Sequence, residues 1–228
     1  MRYRTGKKPP KHDPRTLKFS KYAVALPVPP QAVYWNKSIK TLGMMLNDRL
    51  GCCTCSGVGH LIQDFTSNNG LEFTPSDNDI LSLYEAVSGY NPQTGANDNG
   101  AVCVDVLNYW RQNGVASHKI FAYAALEPRN INHIKSAVDL FGGVYIGLSL
   151  PKTIEQMEEP GSVWHVDPSY PSNRDTQPAS EGGHCVIIVG YDQNHLLVIS
   201  WGAIYYQNLT AGAAELALGA FSYAWQCR

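Results

Sequence analysis

Between Asn47 and Gln63 the chain turns from a polar loop into a helix, and it does so at a group of cysteines. The stretch reads Asn-Asp-Arg-Leu-Gly-Cys-Cys-Thr-Cys-Ser-Gly-Val-Gly-His-Leu-Ile-Gln. A polar turn ends at Gly51, and beyond Thr54 the residues Val58, Leu61, Ile62 and Phe65 recur at helical spacing. Any fold of this chain must therefore place an apolar helix whose first residues are cysteines. Unpaired backbone N–H groups at a helix start favour negative charge. A thiolate is such a charge, and this is the setting that lowers a cysteine pKa and makes the sulfur a nucleophile. The competing reading is that Cys52, Cys53 and Cys55 are small buried core residues.

A chain of 228 residues can bury one large core or two closely packed lobes. Hydrophobic residues at 44% against 16% charged argue against disorder. The longest apolar runs, such as Val186 to Val189, are too short to span a bilayer, so no membrane association is expected. The sequence before Pro30 has no apolar core followed by small residues, and no signal peptide is expected. The crowding of cysteines suits a reduced, cytoplasmic compartment better than a disulfide framework.

The net charge of −1 hides an asymmetry. Met1 to Lys21 carries eight basic residues against Asp13 alone, a balance of +7 that leaves −8 on the remainder. Residues 1–25 read as a basic arm. Such a segment is either solvated or a docking arm for an acidic surface, nucleic acid or a neighbouring subunit. Lys7-Lys8-Pro9-Pro10 has no means of packing on itself, so order in the arm requires something to hold it.

Leu26 to Pro30 is a proline-stiffened lead-in, and Ala32 to Leu46 reads as irregular with one short helical turn. After the Cys helix, Ser76-Asp77-Asn78-Asp79 offers caps for a helix predicted over about 78–89, and a further helical pattern runs through Val102, Val106, Leu107 and Trp110. Beyond Gly114 the pattern shifts. Strands are expected at His118 to Ala124, Val144 to Leu150, Cys185 to Tyr191 and His195 to Trp201, with a short helix near 130–140 and a closing helix over about 211–225. Pro160 to Gly183 is an irregular segment expected to line a cleft. A helical block followed by a strand-rich block predicts an α+β fold: a helical lobe over about 47–115 and a β-rich lobe over about 116–228, in one domain spanning 26–228.

A cysteine nucleophile needs a base, and histidine is the side chain tuned for that near neutral pH. His60 lies on the Cys helix two turns from its start, and His165 sits in the irregular stretch beside Trp164. His184 stands apart. It opens an apolar strand behind Gly182 and Gly183, which allow close approach.

These residues resemble the papain-like cysteine peptidases, in particular the compact bacterial and phage type. Leu50-Gly51-Cys52-Cys53-Thr54 is similar to the family's Leu-Gly-Ser-Cys-Thr segment, and Val28-Pro29-Pro30 to Val33 to its Leu-Pro-x-x-Val lead-in. Asp98-Asn99-Gly100-Ala101 resembles the Asp-x-Gly-Ala helix start, and Gly143 to Gly147 the Gly-Pro-Val-x-x-Gly strand. His184 to Tyr191 resembles the His-Ala-Val-x-x-Val-Gly-Tyr strand, and Ser200-Trp201-Gly202 the end of the Asn-Ser-Trp-Gly turn. The resemblance covers roughly residues 13–225 and implies a two-lobed fold with an antiparallel sheet in the second lobe.

Carried over by position, the resemblance implies Cys53 as nucleophile, His184 as base, and Asn47 as an oxyanion donor where the family keeps glutamine. Trp201 would shield the third member of the triad, with Ser200 and Gly183 shaping the site. That third member departs from the family: Ile199 stands where an orienting asparagine is expected. Two readings follow. One is a thiol hydrolase cleaving peptide or isopeptide bonds through an acyl-enzyme on Cys53. The other is a catalytically impaired papain-like scaffold, a binding or structural component such as a virion-associated protein of a phage. A metal site from Cys52, Cys53, Cys55, His60 or His184 matches no common zinc spacing, and no cofactor or metal is expected.

Overall fold

A computed structural model of the chain describes residues 3–23, 25–209 and 221–227, the last as backbone only. The segment before the Cys helix is not a separate tail. β1 (Leu17–Lys18) pairs in parallel with the later strand at Ala124 and Ala125, and Phe19 beside it is buried. β2 (Val33–Tyr34) follows, and a 3-10 turn over Trp35–Ser38 supplies the short helical turn expected there.

Three helices build the first lobe. α1 (Cys53–Asn68) is buried on almost every side, so its polar residues need partners. Ser56 Oγ donates to the Met45 carbonyl at 2.9 Å and Gln63 Nε2 to the Thr41 carbonyl at 2.7 Å. α2 (Asp77–Ser88) begins one residue earlier than predicted, because Ser76 and Asp79 form a reciprocal capping box, and it stops at Gly89 in the left-handed region. α3 (Cys103–Asn113) presents Val104, Val106, Leu107 and Trp110 to the same core.

The second lobe contains β3 (Ile120–Leu126), α4 (Ile131–Phe141), β4 (Val144–Leu150), β5 (Val163–Trp164), β6 (Gly182–Tyr191), β7 (His195–Ser200), β8 (Ala203–Asn208) and β9 (Phe221–Cys227). The described strands form one sheet in the order β1-β3-β9-β4-β6-β7-β8-β5, with β2 added on β6. Alternation along β6 divides the sheet between two cores. Cys185, Ile187 and Val189 join Ile199 beneath α1, α2 and α3, while Val186 and Ile188 join Leu196 and Val198 in a second core that includes α4. The two-lobed α+β expectation is thereby met.

The closing helix is corrected. Residues 221–227 are a strand, β9, lying between β3 and β4, and the rest of that prediction falls outside the described residues. Phe221, Tyr223 and Trp225 recur with a period of two, the strand signal that an apolar count passes over.

Candidate active site

Cys53 is the first residue of α1 and is fully buried. The turn ahead of it is strained, with Met45 at φ 51° and Leu46 at φ 64°, both left-handed without being glycine. Ser56 on α1 holds that turn through Met45, and Asp98 holds the loop beyond it: Asp98 Oδ1 accepts the Gly51 N–H at 2.8 Å and the Tyr84 hydroxyl at 2.8 Å. The sequence shows Asp98 only as part of a helix start. Its work is to fix the loop that delivers the cysteine. Asn47 lies in the strained turn, 2% exposed, with its side-chain Oδ1 unpartnered.

His184 approaches from the other lobe, on β6 opposite Leu148 of β4. Its Nε2 lies 2.7 Å from Ser200 Oγ, and its ring is stacked on Trp201 at 4.3 Å between centroids. Trp201 is set by a two-residue hairpin: Ser200 pairs with Ala203, and Trp201 (φ 45°) and Gly202 (φ 68°) make the left-handed pair of a type I′ turn. Among the described residues His184 Nδ1 has no hydrogen-bond partner. The backbone N–H of Cys185, the next residue, is directed towards the Cys53 sulfur, so β6 and the start of α1 border one cleft.

The basic arm runs through that cleft. Gly6 and Lys7 donate their N–H groups to the Gly183 carbonyl at 3.1 and 2.8 Å. Ala101 donates to the Gly6 carbonyl and accepts from Lys8, both at 2.9 Å, a parallel bridge on the opposite wall. The Gly6 N–H also reaches the Cys53 sulfur. A side chain at Gly6 would collide with the backbone of Gly51, which is why the arm crosses the cysteine at a glycine. Arg4 pairs with Asp98 at 2.9 Å, Lys11 pairs with Asp105 at 3.0 Å, and Tyr3 stacks on the outer face of Trp201. What holds the arm in this structure is its own chain.

Closure changes the electrostatics that the sequence suggested. A helix start should lower the Cys53 pKa, but burial pushes it up to about 12, against hydrogen bonds from Cys185 and Gly6 that favour the thiolate. Burial, reinforced by the Lys7 ammonium, holds His184 down to about 3. With the arm in place, both groups are neutral.

Other candidates lie elsewhere. His60 is buried along α1 beside Gln63, and His165 is exposed, its Nδ1 near the Val163 carbonyl. Cys52 and Cys55 are buried core residues. Among the described residues no three metal-ligating side chains converge. Of the segment 160–183, Gly182 and Gly183 border the arm, and Trp164 packs against Trp201 at 5.9 Å.

No protein-family model matches the sequence, and no curated protein does. Solved structures do. Xylellain, a cysteine protease from Xylella fastidiosa, aligns over 100% of this chain and 97% of its own, with a TM-score of 0.68 and 16% identity. The fold is papain-like. Procathepsin L 3 from the larval midgut of Tenebrio molitor covers 97% of this chain and 75% of its own at a TM-score of 0.70 and 13% identity. A cysteine protease of Carica candamarcensis covers 87% and 99% at 0.62 and 15%. Such identities establish architecture, and function must be argued from the site. In this papain-like frame the side chain that meets the imidazole is not the one at position 199. Ile199 faces the core beneath the helices, whereas Ser200, one residue on and so on the opposite face of β7, reaches the imidazole. Residue-by-residue matching looked for the orienter at position 199, and the alternation of β7 is the signal that turns attention to Ser200, which the resemblance had named only as shaping the site.

Proposed function

We propose that the protein is a thiol peptidase with Cys53 as nucleophile, His184 as base and Ser200 as the group that orients the base, and that this structure is its arm-closed form. The observation that carries the reading is the 2.7 Å contact of His184 Nε2 with Ser200 beneath Trp201. With Ser200 accepting from Nε2–H, the Nδ1 lone pair is left to take the thiol proton. Once the arm leaves and water enters, the thiolate and imidazolium regain solvation. The sulfur then attacks a peptide carbonyl, and the oxyanion is met by the Cys53 N–H and the Asn47 amide. Each such donor is typically worth about 2.7–4 kcal/mol. Collapse expels the amine, protonated by His184, and water, activated by the same histidine, releases the acyl group.

The second reading is a scaffold whose cleft is filled by its own arm, and the neutral, fully buried Cys53 favours it. Gly6→Val separates the two, because the added side chain cannot pass the Gly51 backbone. In a peptidase, this variant labels with iodoacetamide at Cys53 at least about tenfold faster than the parent chain, the ratio for about 1.4 kcal/mol of weakened arm docking. It also hydrolyses a fluorogenic peptide library, and His184→Ala in the same background loses both properties. Fast labelling without hydrolysis would leave the scaffold.

A further inference from the structure

Two buried thiols take no part in the proposed chemistry. Cys103 is the first residue of α3 and Cys185 lies on β6 beside His184, so they belong to different lobes. Their side chains are neighbours, and the Cys185 thiol stabilises the Cys103 thiolate. The contact is made possible by Gly147 on β4, the direct cross-strand partner of Cys185. Paired residues point to the same face, and the Cys103 sulfur sits 3.6 Å from where a Gly147 Cβ would stand. Cys103 thus occupies the space that a side chain on Gly147 would fill, next to Cys185.

The neighbours suit chemistry at Cys103. It is 6% exposed, against 2% for Cys185, and it lines a small cavity with Lys7, Lys8, Lys11 and Gly147. The Cys185 thiol, with help from the Lys7 ammonium, holds the Cys103 thiol below its ordinary range despite burial.

We propose that Cys103 and Cys185 are a redox modification site that hydrogen peroxide converts into a disulfide joining the two lobes. The Cys103 thiolate attacks one peroxide oxygen, the O–O bond breaks, and water departs, leaving a sulfenic acid. The Cys185 thiol then attacks that sulfur, the S–O bond breaks, a second water departs, and the S–S bond forms. The two thiols lose two electrons and two protons, and the peroxide is reduced to two waters. The site is independent of whether Cys53 hydrolyses anything.

The test uses the full-length reduced protein, exposed to hydrogen peroxide, quenched, denatured and alkylated before mass analysis. The expected product has lost two hydrogen atoms, gives a linked peptide pair containing Cys103 and Cys185, and reverts with dithiothreitol. In Cys185→Ser the sequence stops at the sulfenic acid, which dimedone captures at Cys103. Oxidation confined to Cys52, Cys53 or Cys55, a disulfide joining one of those residues, or two free thiols at 103 and 185 after treatment would overturn the proposal.

Discussion

At the scale of single residues, the proposed site depends on a serine one position beyond the place where an asparagine was expected. Ser200 offers one oxygen to His184, and no described side chain meets the other ring nitrogen. Ser200→Ala should therefore lower kcat/KM of the arm-displaced enzyme about tenfold, the rate equivalent of one neutral hydrogen bond of about 1.4 kcal/mol. Ser200→Asn should retain more activity than the alanine variant, and steady-state kinetics on one fluorogenic peptide reads both. Cys53 and His184 were legible because each announces its context, a helix start and a strand mouth behind two glycines. Ser200 was named only as shaping the site, because its contact with the imidazole depends on which face of β7 it occupies, and motif matching does not read that. Asp98 was hidden for another reason: it acts on Gly51, far away in sequence.

At the scale of elements, the β7–β8 hairpin sets the cover of the site. Its two-residue turn needs left-handed backbone at Trp201 and Gly202, and a Cβ at Gly202 would also stand 3.2 Å from the Gly43 carbonyl. Gly202→Ala should cost about 1 kcal/mol or more, seen as a lower urea midpoint with an unchanged slope. An unaltered midpoint would mean that the turn accommodates the change. Helices α1, α2 and α3 and strands β4, β6 and β7 were readable from periodicity and caps. The short pairings β1, β2 and β5 were not, since two residues carry no period, and β9 was taken for a helix because it is rich in apolar residues.

For the whole molecule, burial fixes the pH range of stability. Burial holds His60 down to about 4 and His184 to about 3, against an ordinary 6.5, so both stay neutral in the native state. As pH falls below 6.5 the unfolded chain takes up protons that the folded chain refuses, and stability drops. Asp64 works in the opposite direction. Burial raises it from 3.8 to about 8, so the native carboxyl stays protonated while the unfolded one ionises, and stability declines as pH climbs towards 8. Each group contributes a slope of up to about 1.4 kcal/mol per pH unit. Of these three groups, two histidines outweigh one carboxyl below 6.5, and above it only Asp64 still changes. Thermal midpoints measured across this range should peak near pH 6.5, and Asp64→Asn should flatten the alkaline side. A midpoint that keeps rising to pH 8 in the parent chain would contradict the assignment. The threaded arm has a last consequence, which is quantitative. A tethered ligand faces its site at an effective concentration on the order of millimolar, whatever the concentration of the protein. Dilution cannot open the cleft, and a peptide arriving from solution must outcompete an occupant that never diffuses away.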